Sequence, residues 1–274
     1  MLCIGTAGTP ISTSKPGTLN AIKRVRELGL DAMELEFVRG VYVKNEEKAR
    51  EIKECAEENN IKLSVHAPYF INLNSDEKIK IKQSMERIIN SAEAAHNCGA
   101  RSVVIHSAFY GKNNLNVYET VKERYEEMSD ELLNIGINDV DLRPELMGKH
   151  SQFGSLEEIV QLSKEIKRVK PCVDFGHYIA RYGEKNNNYE SFSSVFEHIK
   201  NNVGENALKD MHIHFSDIEF TEKGERKHLV FGEGTLKWKE MVKAWKDYKI
   251  EGIAICESPN IETDALKAKN EYLN

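Results

Sequence analysis

The sequence predicts an α/β fold, a single (β/α)8 TIM barrel that spans residues 1–274. Eight short β-rich segments begin about 30–40 residues apart, which is the length of one strand plus one helix. Stretches with helical periodicity lie between them, and no linker rich in Pro, Gly or Ser divides the chain. Because parallel neighbours need a crossover of about a dozen or more residues, this alternation indicates a parallel sheet. A length of 274 residues therefore fits one barrel rather than two domains.

The predicted strands are, in chain order, LCIGTAG from Leu2, AMELEFV from Ala32, KLSVHAPY from Lys62, SVVIHSA from Ser102, DLRPELMG from Asp141, KPCVDFGH from Lys170, MHIHFSD from Met211 and IAICESP from Ile253. Helical spacing of apolar residues predicts the connections, as in Ala21, Ile22, Val25 and Leu28. A doubly wound open sheet is the alternative, but no GxGxxG motif follows the first strand.

Composition narrows the class of protein further. The 38 basic and 44 acidic residues give a net charge of −6, which argues against an ordinary basic nucleic-acid clamp. Five widely spaced cysteines without a CxxC pair predict free, mostly buried thiols in a reducing compartment. The chain shows no signal peptide and no run of roughly 18 apolar residues. We therefore expect a cytoplasmic protein with no membrane partner.

Side chains that could bind metal gather at the ends of the predicted strands. They are His66, His106, Glu145, Asp174, His177, His214 and Glu257. In a barrel these ends meet at one rim, where catalytic residues lie. Each residue alone could be an ordinary hydrogen-bonded rim residue, but converging carboxylates repel one another and are costly to desolvate without cations. Mixed imidazole and carboxylate ligands favour Zn²⁺, Mn²⁺ or Fe²⁺.

Further polar residues have two interpretations each. His228, in the loop GERKHLVFGEG after the seventh strand, either reaches the rim or is a solvated loop histidine. Glu34 and Glu36 alternate with apolar neighbours, so one either faces the barrel mouth or forms a salt bridge inside the barrel. His212 and His214 share one strand face by the period of two.

The segments HAPYFINL, IHSA, PELMG, CVDFGHYIA, HFSD, KHLVFGEG and CESP, in this order between about residues 4 and 260, resemble the endonuclease IV family of apurinic/apyrimidinic (AP) endonucleases. That family belongs to the xylose isomerase-like barrels. HAPYFIN and CVDFGH are the most specific of these pieces. The resemblance implies a DNA-repair hydrolase with a trinuclear zinc site.

The resemblance also implies a ligand set for each metal. The ligands would be His66 and His106 for the first, Glu145 as a bridge, Asp174, His214 and Glu257 for the second, and His177 and His228 for the third. The family has an Asp two residues before the last of these histidines. Here that position is Arg226, with Glu225 adjacent. Either Glu225 takes the place of the Asp, or the third site is weak or empty.

By the same resemblance, the protein hydrolyses the phosphodiester 5′ to abasic sites in double-stranded DNA, with no obligate protein partner. Two or three zinc ions, or Mn²⁺ or Fe²⁺, would lower the pKa of a bound water to give hydroxide, with Glu145 bridging the metals. Tyr69 matches a family Tyr near the abasic nucleotide. The altered loop EFVRGVYV leaves Arg39 and Tyr42 as candidate DNA contacts. Two divalent cations would turn a charge of −3 from the three rim carboxylates into +1, so DNA binding should depend on metal.

Two other functions remain open. A divalent-metal sugar isomerase or epimerase would need only Glu145, Asp174, His214 and Glu257, and it has less need of the additional histidines. A non-catalytic binder of damaged DNA is the third hypothesis, motivated by Arg226 and by the altered loop after the second strand. Metal stoichiometry separates the first two: three tightly bound ions favour phosphodiester cleavage, and one favours a sugar reaction.

Overall fold

Eight parallel strands form the wall of a barrel in the computed structural model, which describes residues 1–111 and 116–274. The strands are Leu2–Ala7, Ala32–Glu36, Lys62–His66, Ser102–Ile105, Asp141–Pro144, Cys172–Asp174, Met211–Phe215 and Gly252–Cys256. Consecutive strands are neighbours, the eighth pairs with the first, and bridges at Leu142–Val169 and Glu145–Cys172 join the fifth and sixth. The predicted (β/α)8 barrel is confirmed, and seven of the predicted segments contain one of its strands, while the eighth strand begins one residue before its segment, at Gly252.

Helices cover the outside of the barrel. They are α1 (Thr18–Glu27), α2 (Glu46–Glu58), α3 (Lys78–Asn97), α4 (Val117–Asn134), α5 (Leu156–Glu165), α6 (Phe175–Tyr182), α7 (Tyr189–Val203), α8 (Trp238–Asp247) and α9 (Glu262–Leu273). Short 3₁₀ turns lie at Glu184–Asn186 and Glu205–Lys209. In α1, the predicted stripe of Ala21, Ile22 and Val25 is buried against the sheet. A capping box between Ser155 and Glu158 begins α5, since each side chain satisfies a backbone N–H of the other.

Two small two-stranded antiparallel sheets stand on the loops at the C-terminal ends of the strands, and the second of them is a β-hairpin. Ala108–Phe109 pairs with Gln152–Phe153, and Asp217–Thr221 pairs with Gly224–Leu229. The hairpin corrects our prediction of a loop at GERKHL. Its tight turn ends at Gly224, whose φ of +98° disfavours other residues, and its second strand, Gly224–Leu229, is too polar to show the alternation of a half-buried strand.

One glycine is required by the barrel wall itself. A Cβ on Gly5 would lie 1.9 Å from the carbonyl oxygen of Ala32 on the neighbouring strand. The first two strands can therefore approach each other only where the first lacks a side chain.

The five cysteines are free thiols, and all but Cys3 are buried, as the sequence predicts. Within the described residues, no helix is long and apolar enough to span a membrane.

Candidate metal centre

Glu145 lies at the centre of the rim, directly after the fifth strand, with its side chain 1% exposed. Its Oε2 is 2.9 Å from His106 Nε2 and 3.4 Å from His66 Nε2. Its Oε1 is 3.1 Å from His177 Nδ1 and 3.5 Å from His214 Nδ1. One carboxylate from one strand therefore contacts imidazoles that four other segments deliver to the same point.

Among the described residues, four sets of side chains have ligand atoms within 4.8 Å of one another; one is Cys172, His212 and His214, and the other three surround Glu145. We call these three the first group (His66, His106 and Glu145), the second group (Glu145, Asp174, His214 and Glu257) and the third group (His177, Glu225 and His228). The structure thus brings together all eight side chains that the sequence predicts as metal ligands, and of the two further candidates, Glu225 and Arg226, it places Glu225 in the third group. Each group has enough nitrogen and oxygen donors to hold one cation.

Asp174 shows how strand ends build the second group. It ends the sixth strand and caps helix α6, because its Oδ1 accepts a hydrogen bond of 2.6 Å from the backbone N–H of His177. Its other oxygen, Oδ2, is buried and has no hydrogen-bond partner among the described residues. The cap fixes the carboxylate and leaves one oxygen directed to the centre.

Hydrogen bonds orient the histidine rings. In each case the bond is made by the ring nitrogen that faces away from the group to which the other nitrogen is directed. Nδ1–H of His66 donates to the carbonyl oxygen of Ala67 at 2.8 Å, which leaves Nε2 facing Glu145. Nδ1 of His177 is 2.9 Å from the carbonyl oxygen of Leu146, so its Nε2 faces the third group. Such anchors fix the tautomer and the ring orientation of metal-binding histidines.

In the third group, two ring nitrogens face each other. His177 Nε2 and His228 Nε2 are 3.3 Å apart, and Glu225 Oε2 lies 3.3 Å from His177 Nε2. His228 is held on its other side by Ser216 Oγ, 3.1 Å from Nδ1. Two imidazole lone pairs at this separation need a proton or a cation between them, and the carboxylate supplies the opposite charge.

A β-bulge selects Glu225 rather than Arg226 for this group. Glu219 pairs with Lys227, and Phe220 pairs with Glu225, so Arg226 is the extra residue between them. In a regular strand, residues 225 and 228 would point to opposite faces, and the bulge places both on the inner face. Arg226 and Lys227 instead bind Glu219 on the outer face, at 2.8 and 3.4 Å. The structure therefore does not bring Arg226 to the centre.

Buried carboxylates dominate the electrostatics of the second group. Burial raises the pKa of Glu257 well above its ordinary value, and the charges of Glu145 and Asp174 add to the rise. Burial also works to raise the pKa of Glu145, but His106 and His214 hold it well below the ordinary value. Without a cation, the repulsion among these buried carboxylates favours the protonated form of Glu257.

The donor set fits a metal ion. Glu145 Oε1, Asp174 Oδ2 and His214 Nδ1 are all buried, all belong to the second group, and have no aligned hydrogen-bond partner among the described residues. A cation would satisfy the three atoms at once. Mixed imidazole nitrogen and carboxylate oxygen suits Zn²⁺, Mn²⁺ or Fe²⁺.

The predicted DNA contacts differ in position. The Tyr69 ring is 5.0 Å from the His66 ring and 5.1 Å from the His106 ring, and it is 43% exposed at the barrel mouth. Tyr42 packs edge-on against Phe37 at 5.0 Å, and Arg39 lies exposed in the same loop. Tyr69 is thus the predicted DNA contact whose ring lies against candidate metal ligands.

The two glutamates of the second strand lie at different depths below the mouth of the barrel. Glu34 is fully buried, with Oε1 2.9 Å from His214 Nε2 and Oε2 3.0 Å from His212 Nε2, although neither contact has the alignment of a full hydrogen bond. Glu36 lies two residues closer to the mouth, and burial raises its pKa to about 7. Alternation in MELEF indicated that these side chains share a face, but not what each one contacts.

Known proteins resemble this chain along its whole length. The family model for xylose isomerase-like TIM barrels matches residues 22–273. An uncharacterized protein of Methanocaldococcus jannaschii is 42% identical over 99% of this chain and 98% of its own length. A protein named "Probable endonuclease 4" from Persephonella marina is 27% identical over 85% of this chain and 83% of its own.

Two solved structures share the fold. Endonuclease IV from Thermus thermophilus superposes with a TM-score of 0.76 at 18% identity, and 98% of each chain is covered. A D-tagatose 3-epimerase-like protein superposes with a TM-score of 0.73 at 21% identity, covering 99% of this chain and 97% of that one. The resemblance to endonuclease IV is confirmed, and the chain belongs to the family of xylose isomerase-like TIM barrels.

Proposed function

We propose that the protein is a metal-dependent AP endonuclease that hydrolyses the phosphodiester 5′ to abasic sites in double-stranded DNA. The observation that carries the proposal is the third group, in which Glu225 joins His177 and His228 although the expected Asp is replaced by Arg226. Together with the first and second groups, it offers places for three cations around one bridging carboxylate. Zinc is the first choice of metal, and Mn²⁺ or Fe²⁺ suits the same donors.

In this proposal, some residues would bind the metal ions and others would position the damaged nucleotide. His66 and His106 would hold the first ion, and Glu145 would fix the separation between it and the second. Bound divalent cations would supply Lewis acidity and a lowered pKa for water near neutral pH. Tyr69 flanks the first group at the mouth, where a damaged nucleotide would enter. An abasic nucleotide has no base to unstack, so its entry costs less than that of an intact one.

A sugar epimerase or isomerase is the second candidate, because the second group is complete by itself. Glu145, Asp174, His214 and Glu257 offer four ligands to a single ion without help from the other groups. The sugar reaction ranks below the nuclease reaction because a reaction with one metal ion gives no role to Glu225 and His228.

The deciding experiment uses purified protein depleted of metal and reloaded with zinc or manganese. A labelled duplex with one tetrahydrofuran abasic analogue should be cut on the 5′ side of the lesion, leaving a 3′-hydroxyl that a polymerase extends. The same duplex without the lesion should stay intact. Epimerisation of a ketohexose without cutting would support the sugar reaction instead. Tight binding of the abasic duplex without turnover would support the non-catalytic binder.

Glu225 and Arg226 form a matched pair for testing the third group. We expect Glu225→Gln to lose one of three bound ions and to cut the abasic duplex about 10–100-fold more slowly, the range found when the supports of a metal site are removed. Arg226→Gln should keep all the ions, since its side chain is 63% exposed and bound to Glu219. Elemental analysis after dialysis gives the count. Equal metal content in both variants would contradict the assignment of Glu225.

A further inference from the structure

Beneath the candidate metal centre lies a carboxylate that belongs to none of the three groups. Glu34 is fully buried inside the barrel, and one of its oxygens lies against His214 while the other lies against His212. Ser64, its partner on the third strand, donates a hydrogen bond of 2.7 Å to Glu34 Oε2. The carboxylate is therefore enclosed by a defined set of neighbours, two imidazoles and one hydroxyl.

The anchor of His214 differs in charge from those of the other histidines. His66 and His177 are held by backbone carbonyls, and His228 is held by a serine hydroxyl. His214 has a carboxylate oxygen 2.9 Å from its Nε2, although the N–H is not aligned with that oxygen as in a full hydrogen bond. A carboxylate behind an imidazole fixes which nitrogen carries the proton, and it makes the other nitrogen a stronger ligand.

The two nitrogens of His214 face opposite ways. Nδ1 lies 3.5 Å from Glu145 Oε1 and 3.5 Å from Glu257 Oε1, inside the second group. Nε2 points down the barrel to Glu34. A proton held on Nε2 leaves the Nδ1 lone pair free for a cation, whereas the reverse tautomer would point a hydrogen at the place of the cation.

We infer that Glu34 is a positioning residue of the metal centre: its carboxylate holds the Nε2–H of His214 and so presents Nδ1 to the second metal. The inference rests on the proposed metal binding by the second group, but not on the substrate. His212 fills the other side of the carboxylate. The depth of Glu34, with no exposed surface, keeps water from replacing it as the acceptor.

Glu34→Gln and Ser64→Ala test this as a pair. Glutamine keeps the size of the side chain but has one acceptor oxygen for two imidazole N–H groups, and it has no charge. Ser64→Ala removes a hydrogen bond to the same carboxylate and leaves its contact with His214 in place. We expect Glu34→Gln to weaken zinc binding at the second group about 10–100-fold. In Ser64→Ala the change should stay within about threefold, measured by competition with a chromophoric chelator.

Nuclear magnetic resonance of the zinc-loaded protein supplies a second readout. The Nε2–H proton of His214, assigned with a His214→Asn variant, should resonate at low field and exchange slowly in wild type and in Ser64→Ala. In Glu34→Gln it should shift upfield and exchange faster. Where Glu34→Gln does not fold, Glu34→Asp, which keeps the charge but shortens the side chain, should give intermediate affinity and shift.

If Glu34→Gln had the same zinc affinity and the same Nε2–H signal as Ser64→Ala, Glu34 would serve packing alone, and the inference would be overturned. Wild-type protein that binds no ion at the second group would overturn it as well. Zinc binding that depends on Glu34, in a protein that leaves abasic DNA intact, would sustain this inference while the proposed nuclease function fails.

Discussion

Glu145→Gln is expected to lower cleavage of abasic DNA by about 10³-fold or more. The Glu145 carboxylate contacts four imidazoles and belongs to both the first and the second group. Glutamine removes the negative charge and replaces one carboxylate oxygen by an NH2 group. The hydrogens of that group would point at ring nitrogens or at a cation, where an acceptor is needed. Losing several kcal/mol of charge stabilisation costs a factor of ten for each 1.4 kcal/mol or so.

Single-turnover cleavage and elemental analysis should be measured on the same Glu145→Gln preparation. We expect the ions of the first and second groups to be lost or weakened together, because one bridge serves both. Glu219→Gln is the matched control, since Glu219 lies outside the groups and pairs with Arg226 on the outer face. Full metal content and full activity in Glu145→Gln would refute the bridging role.

Removal of metal should destabilise the protein strongly. A ligand present at 1,000 times its dissociation constant stabilises the folded state by about 4 kcal/mol. In a chain of this size each kcal/mol shifts Tm by about 2–4 °C. We therefore expect zinc to raise the Tm of the chelator-treated protein by about 10 °C. Thermal unfolding with and without zinc measures the shift in Tm. An equal concentration of Ca²⁺, which prefers all-oxygen sites, should shift Tm little.

The zinc shift should grow as pH rises. Burial lowers the pKa of His66, but its hydrogen bond with Glu145 and the charge of Glu36 outweigh this and raise the pKa to about 10. Glu257 also has a raised pKa, mainly through burial. In the metal-free protein at neutral pH, His66 therefore holds a proton that a cation must displace, and the raised pKa of Glu257 acts in the same direction, so affinity falls as pH falls. A Tm shift that is the same at pH 6 and pH 8 would contradict this account.

The barrel could be predicted because its signals are local. Each strand is a short run of β-prone residues, and the lengths between runs fit one helix. Strand ends meet at one rim in every such barrel, so His66, His106 and Glu145 could be placed near one another without knowing any contact. The position of a residue on its strand was enough for these ligands.

Other features depend on contacts that no local pattern records. Glu225 reaches the centre through a bulge at Arg226, and strand alternation alone would have placed it on the face opposite His228. The partners of Glu34 lie on the third and seventh strands. The antiparallel pair of Ala108–Phe109 and Gln152–Phe153 has strands of only two residues, and the second strand of the hairpin, Gly224–Leu229, is too polar for the alternation from which strands are predicted.

The bulge at Arg226 also has an evolutionary consequence. The ligands of the first and second groups lie at the ends of barrel strands, whereas Glu225 and His228 lie on a hairpin outside the eight-stranded sheet. Without Arg226, Glu225 and His228 would be two residues apart and would share the inner face of a regular strand. The bulge therefore absorbs one additional residue, so in a lineage of such barrels one codon inserted between these two side chains can leave both of them facing the proposed third ion, with every barrel strand in register.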